Sequence, residues 1–143
     1  MTVLILAGTG EARQIAQYCA TQGIRAIASL AGVTRQPVKL AIQTRYGGFG
    51  GADGFRDYLK AHQITAIVDA THPFASNITR RSFEIAHEIG LPLLRFERPE
   101  WVPMVGDHWI TLTDESEAAD HIKAGAVVFL ATGRQSLSKF ANL

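Results

Sequence analysis

The residues best placed to do chemistry lie in Asp69-Ala-Thr-His-Pro-Phe-Ala75, which offers a carboxylate, a hydroxyl and an imidazole within four positions. An imidazole titrates near neutrality, so His72 is a candidate proton donor or orienting group, with Asp69 positioning it or capping the helix that follows. The bland alternative is an Asp69 and a Thr71 that only close their own turn. Pro73 disfavours the α region for His72, which places the imidazole on extended backbone ahead of a helix. Two glycine-rich segments, Gly8-Thr-Gly10 and Gly47-Gly-Phe-Gly-Gly51, are expected to reach the same edge.

Gly8-Thr-Gly10 follows an apolar run and opens a helical pattern, as a dinucleotide site requires, because glycines let the backbone approach a pyrophosphate at a helix N-terminus. The third glycine of that fingerprint is replaced by Arg13, so a tight structural turn is the competing reading. Glu11 in the first helical turn also has a plain role beside the helix dipole. A site for NAD puts an acid near the end of the second strand. Here no Asp or Glu occurs between Glu11 and Asp53, whereas Arg13, Arg25, Arg35, Lys39 and Arg45 do, with Ser29 at the strand end. Hydroxyl and guanidinium groups suit a 2′-phosphate, which favours NADPH, with NADH as the alternative. A solvated basic loop would look the same. The cluster Gly47–Gly51 costs conformational entropy, which close approach to a flat ligand, with Phe49 stacking on it, would justify.

These segments need a frame to hold them. Val3–Ala7, Ile24–Ser29, Leu40–Arg45, Ala66–Asp69 and Leu91–Phe96 read as strands. Ala12, Ile15, Ala16 and Cys19 mark a first helix ended by Gly23, Phe55 to His62 a second, and Ser76 to Ile89 a third. Strands alternating with helices give an α/β fold, a doubly wound, mostly parallel Rossmann-like sheet with the strand-to-helix turns on one side. Residues 1–100 form the expected cofactor-binding lobe. In 101–143, strands are expected at Trp109–Leu112 and Ala126–Leu130, with helices after Asp114 and after Thr132-Gly-Arg134, as the beginning of a second α/β lobe.

Composition limits the alternatives. A net charge of +1 and a charged fraction of 19% give no field that demands nucleic acid or an acidic membrane. No apolar run reaches the length of a membrane span, and Met1 leads straight into a strand, so a cytoplasmic protein is expected. The single Cys19 fits a reducing compartment. His62, His87 and His121, in or near helices, are expected to face solvent, and His108 and Cys19 join no ligand-spaced cluster, so no metal site is expected. Neither a G-x-x-x-x-G-K-[ST] loop nor a G-x-S-x-G elbow is present.

Leu-Ala-Gly-Thr-Gly-Glu-Ala-Arg13, Ser29-Leu-Ala-Gly32, Gly-Gly-Phe-Gly-Gly-Ala52, Asp-Ala-Thr-His-Pro-Phe-Ala75 and Leu94-Arg-Phe-Glu-Arg-Pro-Glu-Trp101 occur in this order. Together they resemble the precorrin-6A and cobalt-precorrin-6A reductases of cobalamin biosynthesis. The resemblance implies hydride transfer from NADPH to a precorrin-6A type tetrapyrrole, converting it to the 6B form. It also implies a two-lobed fold with the site in the cleft, and transfer of the macrocycle to neighbouring pathway enzymes.

By the same resemblance Gly8, Thr9, Gly10, Glu11 and Ala12 line the cofactor, with Ser29 and Gly32 near its adenosine phosphate. Gly48, Phe49, Gly50, Thr71 and Pro73 face the nicotinamide, with Gly51 and Phe74 on the substrate side. Val33 stands where the family often has arginine, and Arg35 is the expected substitute. Arg134 is expected to meet a substrate carboxylate or a cofactor phosphate. Family members are longer, so the chain reads as a fragment. A non-catalytic dinucleotide module, or an NADPH-dependent reductase of another substrate, remain the alternatives.

Overall fold

The structure is a computed structural model that describes residues 1–32, 39–132 and 134–143, with the backbone alone at 134 and 135. It divides into two compact units, Met1–Pro99 and Glu100–Leu143.

The first unit alternates as its sequence pattern requires. β1 (Val3–Leu6) leads to α1 (Gly10–Thr21), β2 (Ala26–Leu30) and β3 (Gln43–Tyr46), then α2 (Gly51–Ala61), β4 (Ala66–Asp69), α3 (Ser76–Glu88) and β5 (Leu93–Arg95). The five strands form one sheet in the order β3-β2-β1-β4-β5, with every neighbouring pair parallel. A central strand of such a sheet is covered on both sides, and β1 is buried at all four positions. Leu4 and Leu6 join Phe55, Leu59, Ile67 and Ile85 in a core beneath α2 and α3. Val3 and Ile5 turn the other way, toward Cys19 and Ile15 of α1. Phe55 is fully buried and contributes on the order of 2–3 kcal/mol by that burial.

α1 therefore lies on one face and α2 with α3 on the other. After β1 the chain turns toward β2, and after β4 it turns toward β5. The gap between β1 and β4 is the switch point, where the carboxyl ends of a doubly wound sheet leave a crevice. Gly23, at φ +66°, follows the C-cap of α1 and ends that helix as its position in the sequence suggests. β2, β3 and β5 all start later than the apolar runs that mark them.

In Glu100–Leu143 the expected strands at Trp109–Leu112 and Ala126–Leu130 do not form: neither run is in a ladder. Most of their apolar residues are exposed, Phe129 at 91% and Trp109 at 53%. A strand exists through its pairing, and neither run has a partner strand here. The expected helices are 3₁₀ turns, Glu115–His121 and Arg134–Phe140. Asp114 caps the first through Ser116, and Lys139 of the second reaches Asp114 at 3.0 Å and Glu115 at 2.6 Å. Among the described residues no helix is long and apolar enough to cross a membrane.

Candidate functional site

Three turns meet the carboxyl edge of the sheet, after β1, β3 and β4. In the first, Thr9 is the N-cap of α1 and accepts a hydrogen bond from the Ala12 amide at 3.1 Å. Its hydroxyl proton goes to the Ala70 carbonyl at 2.8 Å, so one side chain joins the turns after β1 and β4 across the switch point. A Cβ built on Gly8 or Gly10 meets nothing within 4 Å, so the backbone of this turn faces open space. Glu11 carries its carboxylate to the start of α1. Its own backbone N–H, and more weakly the charge of Arg98, hold that carboxyl below the usual range. Ala12 is buried under the turn.

The turn after β4 is fixed by Asp69, which is 1% exposed. Its Oδ1 accepts from the Thr71 amide at 3.1 Å and the Thr71 hydroxyl at 2.7 Å, and its Oδ2 from Arg95 Nη1 at 3.2 Å. Both oxygens are thereby engaged. Asp69 closes its own turn through Thr71, and α3 starts at an Ala75 cap without a side-chain bond. His72 is exposed and accepts from the Phe74 amide at Nδ1, 3.3 Å away. That bond leaves Nε2 to carry the proton of the neutral ring. Phe74 is 84% exposed, its ring centroid 5.0 Å from the imidazole. Thr9, Glu11, Thr71, Pro73, Phe96 and Arg98 line a narrow crevice between the two turns. On the other side of Pro73 a groove of about 320 Å³ runs between α3 and β5, past Thr79, Arg80 and Phe83.

The turn after β3 differs from expectation. Phe49 does not present a bare ring for stacking. It packs edge-on against Phe55 and Tyr58, with centroids 4.7 and 5.2 Å away, and the Arg45 guanidinium lies 4.0 Å over it. The reason is apolar burial: the ring is the loop's anchor to the core beneath α2. A Cβ at Gly48, Gly50 or Gly51 meets nothing within 4 Å, so the glycine backbone is the part left open. At Gly32 a Cβ would stand 3.2 Å from the Gly47 amide nitrogen, which brings the ends of β2 and β3 together.

Among the described residues, Arg45 is a basic residue that the fold brings to the end of β2. It is the register partner of Ser29, and it donates to Ser29 Oγ at 2.7 Å and to the Gly48 carbonyl at 2.9 Å. Ser29 is buried. Arg35 lies outside the described residues, as does the side chain of Arg134. Sequence reasoning assigned no role to Thr79, Arg95 or Glu97. The signal for Arg95 was its place in the fifth strand, but only the register shows that it stands opposite Asp69.

The open glycine turns, the α1 terminus and the hydroxyl-guanidinium pair fit a dinucleotide laid along the carboxyl edge. Comparison with known proteins identifies the family. Residues 2–143 match the family model described as Precorrin-6x reductase CbiJ/CobK. The precorrin-6A reductase of Rhodococcus erythropolis is 48% identical over 143 residues, covering 99% of this chain and 58% of that protein. The precorrin-6A reductase of Rhodobacter capsulatus is 40% identical over 140 residues, covering 97% and 56%. A solved structure, CobK precorrin-6A reductase, superposes with a TM-score of 0.91 at 39% identity, covering 98% of this chain and 56% of that one. The chain thus spans a little over half the length of the relatives it matches. On the sequence match and the superposition together, this chain belongs to the precorrin-6x reductase CbiJ/CobK family.

Proposed function

We propose that this chain is the nicotinamide-dinucleotide-binding part of a reductase acting on a precorrin-6A type macrocycle in cobalamin biosynthesis. The observation that carries the reading is the Thr9–Ala70 bond, which holds the open Gly8–Gly10 turn and the His72 turn on either side of one crevice. Residues 1–99 would form the cofactor lobe, and Glu100–Leu143 would begin the second α/β lobe.

A bound nicotinamide supplies the hydride. The chain's own residues bind and orient: the Gly8–Gly10 backbone admits a pyrophosphate to the start of α1, and the Gly48–Gly51 backbone lies open to a flat ring. The Glu11 carboxylate, which sits on its own amide, has to give way to a phosphate or turn to a hydroxyl. NADPH is the favoured cofactor, because Arg45 and Ser29 at the end of β2 suit a 2′-phosphate and the sequence has no Asp or Glu between Glu11 and Asp53. His72 Nε2 is the candidate proton donor, with Thr71 and Pro73 fixing where the ring leaves the strand. The exposed Phe74 beside it, with Gly51, would face the macrocycle, and Arg134 a carboxylate or phosphate.

The reading is tested by adding precorrin-6A and NADPH and following nicotinamide oxidation, for this chain and for His72→Ala. Turnover that falls about a hundredfold or more in the variant, with unchanged NADPH affinity, is expected of a general acid. Near-normal turnover would remove His72 from the mechanism. Absence of turnover by a full-length relative that binds NADPH would favour a non-catalytic dinucleotide module.

A further inference from the structure

Asp69 and Arg95 close adjacent parallel strands and stand opposite each other in register. Around them runs a ring of hydrogen bonds. Arg95 Nη1 donates to Asp69 Oδ2 at 3.2 Å and to Thr79 Oγ1 at 2.6 Å. The Thr71 hydroxyl gives its proton to Asp69 Oδ1 at 2.7 Å. A hydroxyl has one proton to donate, so in the 3.4 Å contact between Thr71 and Thr79 the donor is Thr79. The order is Arg95 to Thr79, Thr79 to Thr71, Thr71 to Asp69, and Arg95 to Asp69. The ring joins β4, the turn after it, α3 and β5. The rest of the guanidinium forks onto Glu97, at 3.1 and 2.9 Å, which fixes its plane.

We infer that Arg95, with Thr79, is a positioning residue for the His72 turn, acting through Asp69 and Thr71. A buried carboxylate needs a partner whatever its task, so neutralising Asp69 would account for the ion pair alone. It does not account for Thr79, which leaves the charge balance unchanged and instead ties α3 to Thr71. Thr71 precedes His72 directly, and the two bonds from Asp69 to Thr71 set where the imidazole leaves the strand. The ring holds that point from both sides, so that dinucleotide and imidazole meet in one arrangement instead of many.

The test separates this role from charge neutralisation. Thr79→Val keeps the Asp69–Arg95 pair and cuts the ring, whereas Thr79→Ser restores a hydroxyl. The readouts, on the whole chain, are NADPH and NADH affinity, and the NMR signals of the Phe74 and Ala75 amides, which bond His72 Nδ1 and the His72 carbonyl. Thr79→Val is expected to shift both amide signals and to weaken both dinucleotides about tenfold, with the unfolding midpoint nearly unchanged. Thr79→Ser should resemble the parent, and Arg95→Lys should lie between. The inference rests on the dinucleotide reading for its affinity arm only. Unshifted Phe74 and Ala75 signals in Thr79→Val would overturn it, as would shifted signals with parental affinity. If the parent chain binds neither dinucleotide, the cofactor reading fails by itself, and the amide signals still decide whether the ring sets the turn.

Discussion

The Thr9 hydroxyl donates to the Ala70 carbonyl across the switch point, at 2.8 Å, while the same oxygen caps the Ala12 amide. One side chain thus starts α1 and fixes the distance between the two turns that flank the crevice. Thr9→Val keeps the shape and loses both bonds, leaving a carbonyl and an amide without partners. Loss of the cap costs about 1 kcal/mol and loss of the second bond a similar amount. Urea unfolding should therefore show a destabilisation of about 2 kcal/mol, with dinucleotide affinity falling as well. Destabilisation without any change in affinity would separate Thr9 from the site.

Gly54 stands inside α2 for a steric reason. A Cβ there would collide with the Phe49 carbonyl oxygen, a backbone atom that cannot swing aside. Helix propensity alone favours alanine by about 1 kcal/mol. The clash should outweigh it, so Gly54→Ala is expected to destabilise the first unit by about 3 kcal/mol. Thermal unfolding followed by circular dichroism checks this, and a stabilised variant would show that the Phe49 loop moves freely.

Much of this was legible in the sequence, and the misses have physical causes. The fully buried run of β1, the apolar run of β4, the α1 face at Ala12, Ala16 and Cys19, and the stop at Gly23 all come from local pattern. The Asp69–Arg95 and Ser29–Arg45 pairs depend on register between strands far apart in the chain, which no local pattern encodes. The glycines around Phe49 suggest a stacking surface, whereas packing against Phe55 and Tyr58 decides its place. Ala126–Leu130 has the composition of a strand, but pairing, not composition, makes one.

Acid should loosen Glu100–Leu143. Asp114 is held far below the usual range by the Ser116 amide, then by the Ser116 hydroxyl and Lys139. Lys139 lowers Glu115 as well. Carboxyls depressed in the folded state contribute stability that is present above their ordinary range and is lost as pH falls through it toward the depressed values. Both tryptophans, Trp101 and Trp109, lie in this unit, so their fluorescence reports it selectively. An emission change is expected below about pH 4, and Asp114→Asn should show a smaller one. Identical acid responses in the two proteins would contradict the assignment.

The most direct test of the central claim is a fluorescence titration of the chain with NADPH and with NADH, repeated on Arg45→Met. Saturable binding with NADPH the tighter ligand is expected. In Arg45→Met the preference should fall about tenfold, mainly through NADPH, which corresponds to about 1.4 kcal/mol. A preference for NADH, or one unchanged in the variant, would contradict the phosphate assignment. Absence of binding by either cofactor would contradict the claim that this crevice holds a dinucleotide.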